Sequence, residues 1–310
     1  MQAFDRLTAQ LEQLNIPYLR DARMAAYTTF CIGGAMPLMI EPQSEQQLVD
    51  ALRATDELGL FPLLLGRGSN VLFPDSIPLT PRSLVVRTTH VRTAEVKGKS
   101  ICAACGAALG ELARMAQRAA LGGLEFAYGI PGTLGGALCM NAGAYGTEMR
   151  DVVETVRCYD RERHEIVCLD REQMAFSYRH SLLLSSPHLV ALGATLALHA
   201  DDAQAIDARM RDYMARRRDK QPLDLPSAGS VFKRPEGHFA GALIEQSGLK
   251  GYRIGGAMVS PKHAGFIVNV GGATAQDVLS LIAHIQAVVE RDHGVYLEPE
   301  IQILNSLYAR

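Results

Sequence analysis

The sequence carries no surplus of charge: 31 basic residues stand against 33 acidic ones. That balance excludes a bulk basic field for nucleic acid and an acidic tail for a basic partner, so an anionic ligand would need a local pocket of cations. Long apolar runs are missing too. The longest nearly apolar stretch, 189–200, falls far short of the ~20 residues a membrane helix needs. Charged residues interrupt the opening MQAFDRLTAQLEQLNI, in which Phe4, Leu7, Leu11 and Leu14 share one helical face. The segment therefore reads as an amphipathic helix rather than a signal peptide, and predicts a soluble, cytoplasmic chain. Cysteine is scattered. Cys102 and Cys105 form a C-x-x-C, but no second one exists to complete a zinc site. A redox pair stays open there, while Ile101-Cys102-Ala103-Ala104 reads as a strand with small buried residues.

The chain's 310 residues leave room for two domains or three small ones. Ser44 and Gln47 make a capping box for a helix that Gly59 stops. Strands are predicted at 63–65, 84–86 and near Ile101, and a helix at 109–119 ending at Gly122-Gly123. The segment GIPGTLGGALCMNAGAYG, 129–146, is too rich in glycine for a helix interior or a strand and too long for an idle turn. Strand-like runs follow at 153–158, 166–169 and 189–198. A helix over 203–219 puts Ile206, Met210, Tyr213, Met214 and Arg217 on one side and ends in a basic cluster. The proline-containing QPLDLPSAGS marks a boundary, Thr274 caps a strongly amphipathic helix, and VYLEPEIQIL closes as an alternating strand. Strands and helices alternate without a regular βαβ rhythm, which predicts an α+β fold.

Two glycine-rich segments suggest a dinucleotide, because glycine lets backbone N–H groups approach a phosphate closely. Neither common fingerprint fits. In Gly66-Arg67-Gly68-Ser69-Asn70-Val71 the third Rossmann glycine is replaced by Val71, and no Gly-Lys-Ser/Thr ends either segment. Structural turns remain the competing reading of both.

The pieces Tyr27-Thr28-Thr29-Phe30 with Ile32-Gly33-Gly34, LGRGSNVLFPD (65–75) and GLEFAYGIPGTLGGALCMNAGAYG (123–146) resemble the FAD-binding half of the UDP-N-acetylenolpyruvoylglucosamine reductase family, also called UDP-N-acetylmuramate dehydrogenases. The likeness continues in order through FSYRHSLL (176–183), SAGSVFKRP (227–235), GLKGYRIGGAMVSPKHAGFIVN (248–269) and LEPEIQIL (297–304). The short interval after Arg179 resembles the subtype lacking an extra tyrosine-bearing loop.

The resemblance implies an α+β FAD-binding fold of the vanillyl-alcohol-oxidase type with two subdomains, 1–86 and 87–200, and an α+β substrate-binding domain at 201–310 whose last strand can pack back on the FAD-binding part. It implies non-covalent FAD, with NADPH as co-substrate, and reduction of the enolpyruvyl ether of UDP-N-acetylglucosamine to UDP-N-acetylmuramate for peptidoglycan. Gly66, Arg67, Gly68, Ser69 and Asn70, with Gly129, Ile130, Pro131, Gly132, Gly135 and Gly136, match the backbone cradle of the FAD pyrophosphate. Tyr27, Thr28, Asn141, Gly143 and Tyr145 match further cofactor-binding positions.

Three residues match the family's catalytic set. Arg179, in Tyr-Arg-x-Ser, would pair with the substrate carboxylate at two points. Glu300 is selected over Glu298 by Leu-x-x-Glu-Ile; by the period of two, Glu298, Glu300 and Gln302 would share one face. Ser230, in Ala-Gly-Ser-x-Phe-Lys, would protonate carbon, a role that makes sense only toward a strongly basic enolic carbon. Tyr178, Arg217, Lys220, Lys233 and Lys262 match substrate-side positions. Arg234 stands where the family often has asparagine, so a phosphate donor or a side chain in water replaces an amide there. His263 reads as part of the turn that sets Lys262. A surface arginine, a solvated polar strand face, a turn serine and a solvated helix end are the plain alternatives for these groups. An oxygen-using FAD oxidase, for which no flavin-attachment motif is seen and Cys139 in the glycine-rich run reads as packing, and a non-catalytic nucleotide-binding protein are the competing functions. Retention of Arg179, Ser230 and Glu300 together argues against the second.

Overall fold

The computed structural model describes residues 2–304. They form two compact units, one drawn from 2–20, 38–67 and 81–216, the other from 21–37, 68–80 and 217 onward.

The first unit holds two cores. In one, helices Gln2–Gln13 and Glu45–Glu57 bury Phe4, Leu7, Leu11, Leu48 and Leu52 with Leu84 and Val86. Leu84 and Val86 belong to a parallel ladder in which Leu38–Ile40 and Leu63–Leu65 flank Leu84–Arg87. Ser44 caps the second helix, accepting from the Gln47 N–H at 3.2 Å, but the other half of the predicted capping box is replaced: Gln47 Oε1 accepts from the Gln43 N–H at 2.8 Å. Leu14 lies past the end of the first helix and is exposed, so the predicted apolar face ends at Leu11.

The other core sits on a five-stranded antiparallel sheet in the order Glu165–Asp170, Val153–Asp160, Leu189–Ala197, Ser100–Ala104, Ala94–Lys97. Helices Leu109–Arg118, Leu134–Met140 and Ala203–Lys220 supply Leu109, Leu112, Leu134, Leu138, Ile206 and Met210 to it. The helix after Ala108 stops at Arg118, with Ala120 at φ 53° making the left-handed turn ahead of the glycines. The expectation that 129–146 holds neither helix nor strand is corrected. Thr133 caps the helix Leu134–Met140, and Gly143–Ala144 pairs with Thr147–Glu148. Tertiary packing overrides glycine's low helix propensity there: Leu134 and Gly135 donate their N–H groups to the Ala107 and Cys105 carbonyls at 2.9 and 2.7 Å. Cys102 lies in strand Ser100–Ala104 with its sulfur 3.7 Å from Thr195 Oγ1, and Cys105 is buried.

The second unit is a four-stranded antiparallel sheet, Ser227–Ser230, Phe266–Asn269, Ala257–Val259, Arg253–Ile254. Helices Ala240–Gln246 and Ala275–His293 share a core with it through Leu243, Ile244, Val278, Leu281, Ile282 and Ile285. Thr274 and Asp277 form a capping box. Asp75 adds a second anchor, its carboxylate accepting from the N–H groups of Ala275 and Gln276 at 2.8 and 3.2 Å. The predicted closing strand shrinks to Gln302–Ile303, which pairs in parallel with Val71–Leu72. Pro299 makes only an isolated bridge to Phe232, so the residues before Gln302 lack a continuous ladder. The shared face for Glu298, Glu300 and Gln302 is lost with it: Glu298 and Gln302 are exposed and Glu300 is half-buried.

Among the described residues no helix is long and apolar enough to cross a membrane.

Candidate active site

In the first unit, Gly66 follows strand Leu63–Leu65 and runs against Thr133, the cap of helix Leu134–Met140. A Cβ on Gly66 would lie 2.3 Å from Thr133 Oγ1, so only glycine lets the two glycine-rich segments approach this closely. Thr133 Oγ1 accepts from the Gly136 N–H at 3.5 Å. Ahead of it the Gly132 carbonyl accepts from the Leu109 N–H at 3.2 Å, tying 129–132 to the start of helix Leu109–Arg118. In the second unit Gly68, at φ 62°, lies against the backbone of Tyr27 and Thr28; a Cβ there would meet the Tyr27 carbonyl oxygen at 2.4 Å. The Thr28 hydroxyl is turned inward, donating to the Ile32 carbonyl at 3.2 Å. Among the described residues, no protein acceptor is bonded to the N–H groups of Arg67, Gly68 and Ser69. Those three N–H groups around the Gly68 turn fit an anionic diphosphate such as that of FAD, whereas in 129–136 the N–H groups of Ile130, Gly132, Gly135 and Gly136 already have protein acceptors.

Asn141 ends helix Leu134–Met140 in the left-handed conformation, φ 42°, and is fully buried. Both of its amide hydrogens are donated within the protein, to Glu148 Oε2 at 2.9 Å and to the Ser177 carbonyl at 3.0 Å. Its Oδ1 accepts from the Arg150 N–H at 2.9 Å. Tyr145, at φ 57° in the same hairpin as Gly143, stacks on Tyr213 with centroids 4.2 Å apart and donates its hydroxyl to the Tyr213 carbonyl at 2.8 Å. These two side chains therefore meet protein partners first, which sequence alone had not indicated.

Arg179 sits at the corner of a tight turn. Ser177 and His180 exchange backbone hydrogen bonds of 3.0 and 3.2 Å, Arg179 takes φ 54°, and its guanidinium carbon lies 5.1 Å from the centroid of the Tyr178 ring.

In the second unit, Ser230 and Glu300 lie on adjoining segments. The Glu300 N–H donates to the Val231 carbonyl at 2.7 Å, and the Lys233 N–H to the Glu298 carbonyl at 2.8 Å. A register shift between Ser227 and Ser230 breaks the ladder to Phe266–Asn269 just ahead of this pairing. Asn70 reaches the same segment, its Nδ2 donating to the Glu300 carbonyl at 3.3 Å. The Lys233 ammonium pairs with the exposed Glu298 carboxylate. Arg234 lies over the exposed Phe239 ring, 4.0 Å from its centroid. Lys262 donates its ammonium to the Arg218 carbonyl in the last turn of helix Ala203–Lys220, the turn that carries half-buried Arg217 and exposed Lys220. His263 accepts at Nδ1 from the Gly265 N–H, 3.1 Å, closing the turn after Lys262. Burial lowers the His263 pKa below the ordinary value.

Residues 36–168 match the family model described as an FAD binding domain. Residues 221–304 match the one described as the C-terminal domain of UDP-N-acetylenolpyruvoylglucosamine reductase. Together with the cradle, these matches define an FAD-dependent oxidoreductase of α+β fold. A UDP-N-acetylenolpyruvoylglucosamine reductase of Caldanaerobacter subterraneus subsp. tengcongensis is 46% identical over 281 residues, 91% of each chain. One from Limosilactobacillus fermentum is 46% identical over 284 residues, 91% of this chain and 92% of its own. The crystal structure of the Thermus caldophilus reductase superposes with a TM-score of 0.78 at 32% identity, covering 93% of this chain and 98% of that one. The chain belongs to the UDP-N-acetylenolpyruvoylglucosamine reductase family.

Proposed function

We propose that this chain, in the cytoplasm, uses NADPH to reduce the enolpyruvyl ether of UDP-N-acetylglucosamine to UDP-N-acetylmuramate for peptidoglycan synthesis. The observation that carries the reading is the Glu300-to-Val231 hydrogen bond, which lays Glu300 beside the segment following Ser230 in a member of this reductase family. FAD, held without a covalent bond by the backbones of 66–70 and 129–136, supplies the two-electron relay between nicotinamide and substrate.

The chain's own residues do the rest. The Arg179 guanidinium pairs with the substrate carboxylate and stabilises the charge that builds there as the double bond is reduced. Ser230 Oγ gives its proton to the carbon that bears the ether oxygen and regains one from solvent. Glu300 stabilises the enolic form of the substrate from the neighbouring segment. Tyr178, Arg217, Lys220, Lys233, Arg234 and Lys262 meet the nucleotide sugar, with the cations opposite its diphosphate. The proposed division is into FAD-binding subdomains 1–86 and 87–200 and a substrate-binding domain 201–310; three separate cores support three parts, although Phe30, Ile32 and Leu72 pack in the core of the last part and Ile206 and Met210 in that of the second.

The test is anaerobic mixing of the purified yellow protein with NADPH, then with the enolpyruvyl nucleotide sugar, while following flavin absorbance. Bleaching followed by recovery is expected. Bleaching that only oxygen reverses would favour an oxidase, and release of no FAD on heating would remove the cofactor from the reading.

A further inference from the structure

An arginine has no intrinsic preference for the left-handed backbone that Arg179 adopts at φ 54°, where its Cβ crowds the following carbonyl. Two backbone hydrogen bonds close the turn Ser177–His180. The neighbouring helix grips it from both sides. Before the arginine, the Ser177 carbonyl accepts Asn141 Nδ2 at 3.0 Å. After it, the Ser181 hydroxyl donates to the Cys139 carbonyl at 3.0 Å. Asn141 and Ser181 are both completely buried. Both tethers end on the last residues of one short helix, Leu134–Met140 with its cap Asn141. Asn141 is fixed in turn by Glu148 and by the Arg150 N–H, so its amide cannot swing to another partner without leaving buried groups unsatisfied.

We infer that Asn141 and Ser181 are positioning residues for Arg179, a two-point clamp that fixes the turn carrying Arg179 to the end of the helix whose other end begins at Thr133, beside Gly66. The inference rests on the reading of Arg179 as the carboxylate-binding arginine. It gives the Asn141 amide a role besides the cofactor-binding position that the resemblance implies, because both of its hydrogens are committed within the protein.

Loss of one tether should let Arg179 drift by a fraction of an ångström to an ångström. A displacement of that size slows a positioned reaction roughly ten- to a hundredfold. Ser181→Ala removes a single hydroxyl and is the primary variant; Asn141→Ala is the second. Each is measured as the full FAD-loaded protein in three ways. These are the rate of flavin bleaching by NADPH, the rate of reoxidation by the enolpyruvyl nucleotide sugar, and calorimetric affinity of the oxidised enzyme for that sugar. In Ser181→Ala bleaching is expected to stay within about twofold; in both variants reoxidation is expected to fall at least about tenfold and affinity to weaken much less than the rate. In a double-mutant cycle with Arg179→Lys, the effects are expected to be strongly non-additive, since the clamp has nothing left to position. Additive effects, unchanged reoxidation in Ser181→Ala, or loss of flavin from Ser181→Ala would each overturn the clamp. Unchanged reoxidation in Arg179→Lys instead removes the underlying reading of Arg179, whatever the clamp variants do.

Discussion

The Asn70 amide donates to the carbonyl of Glu300, 230 positions away, at 3.3 Å, and the Asn70 carbonyl accepts from the N–H of Gln302, two residues further on, at 2.9 Å. A residue of the proposed cofactor loop thus sets the height of the segment that carries Glu300 into the strand Gln302–Ile303. Asn70→Ala should cost about 1 kcal/mol of stability, the net worth of one hydrogen bond. It should also slow reoxidation by substrate more than bleaching by NADPH. Equal slowing of both half-reactions would mean that Asn70 serves the cofactor alone.

Ser230→Ala should leave NADPH-driven bleaching near normal, because that step needs no proton at carbon. Reoxidation by the enolpyruvyl sugar should fall by roughly 10²–10⁴-fold, the usual worth of general-acid assistance. Glu300→Gln should share this asymmetry, given the hydrogen bond that places its backbone on Val231. The reverse pattern, slow bleaching with intact reoxidation, would assign Ser230 to nucleotide binding.

The basic end of helix Ala203–Lys220 separates two kinds of lysine. Lys220 is exposed, so Lys220→Ala should raise KM for the nucleotide sugar roughly ten- to a hundredfold and leave the thermal midpoint unchanged. Lys262 donates to the Arg218 carbonyl, so Lys262→Ala should lower the midpoint as well as raise KM. Two unchanged KM values would reduce the cluster to a solvated helix end.

Burial pushes the Cys105 and Cys158 thiols up to about 12 from an ordinary value of 9.0. Above pH 9 the unfolded chain releases these protons while the folded chain keeps them. Their contribution to stability is therefore complete below pH 9 and is lost as pH rises toward 12, by about 1.4 kcal/mol per pH unit for each thiol. Urea denaturation between pH 8 and 10.5 should show the decline, and Cys105→Ala should make it shallower. A decline of the same steepness in Cys105→Ala would show that other groups cause it.

Several elements were legible because their signals are local. Ser44 and Thr274 cap the predicted helices with their own hydroxyls, and the apolar stripe Val278, Leu281, Ile282, Ile285 is buried as its spacing requires. The helix inside 129–146 was hidden because composition argued against it, and only the carbonyls of Cys105 and Ala107 supply the partners that make it form. Thr133, Ser181 and Asp75 lay inside quoted motifs, yet nothing in spacing showed whose N–H or carbonyl they would meet.

By itself the sequence determined the succession of elements, the glycine-rich segments and the residues shared with one reductase family, since periodicity, caps and motifs are properties of neighbours in the chain. Only the tertiary structure decided that the Asn141 amide grips the Ser177 carbonyl, that Glu300 pairs with Val231, and that the last strand is two residues long. Those partners are distant in sequence. A buried amide or carbonyl bonds to whatever acceptor or donor packing brings within reach, and that choice is made by the folded core as a whole.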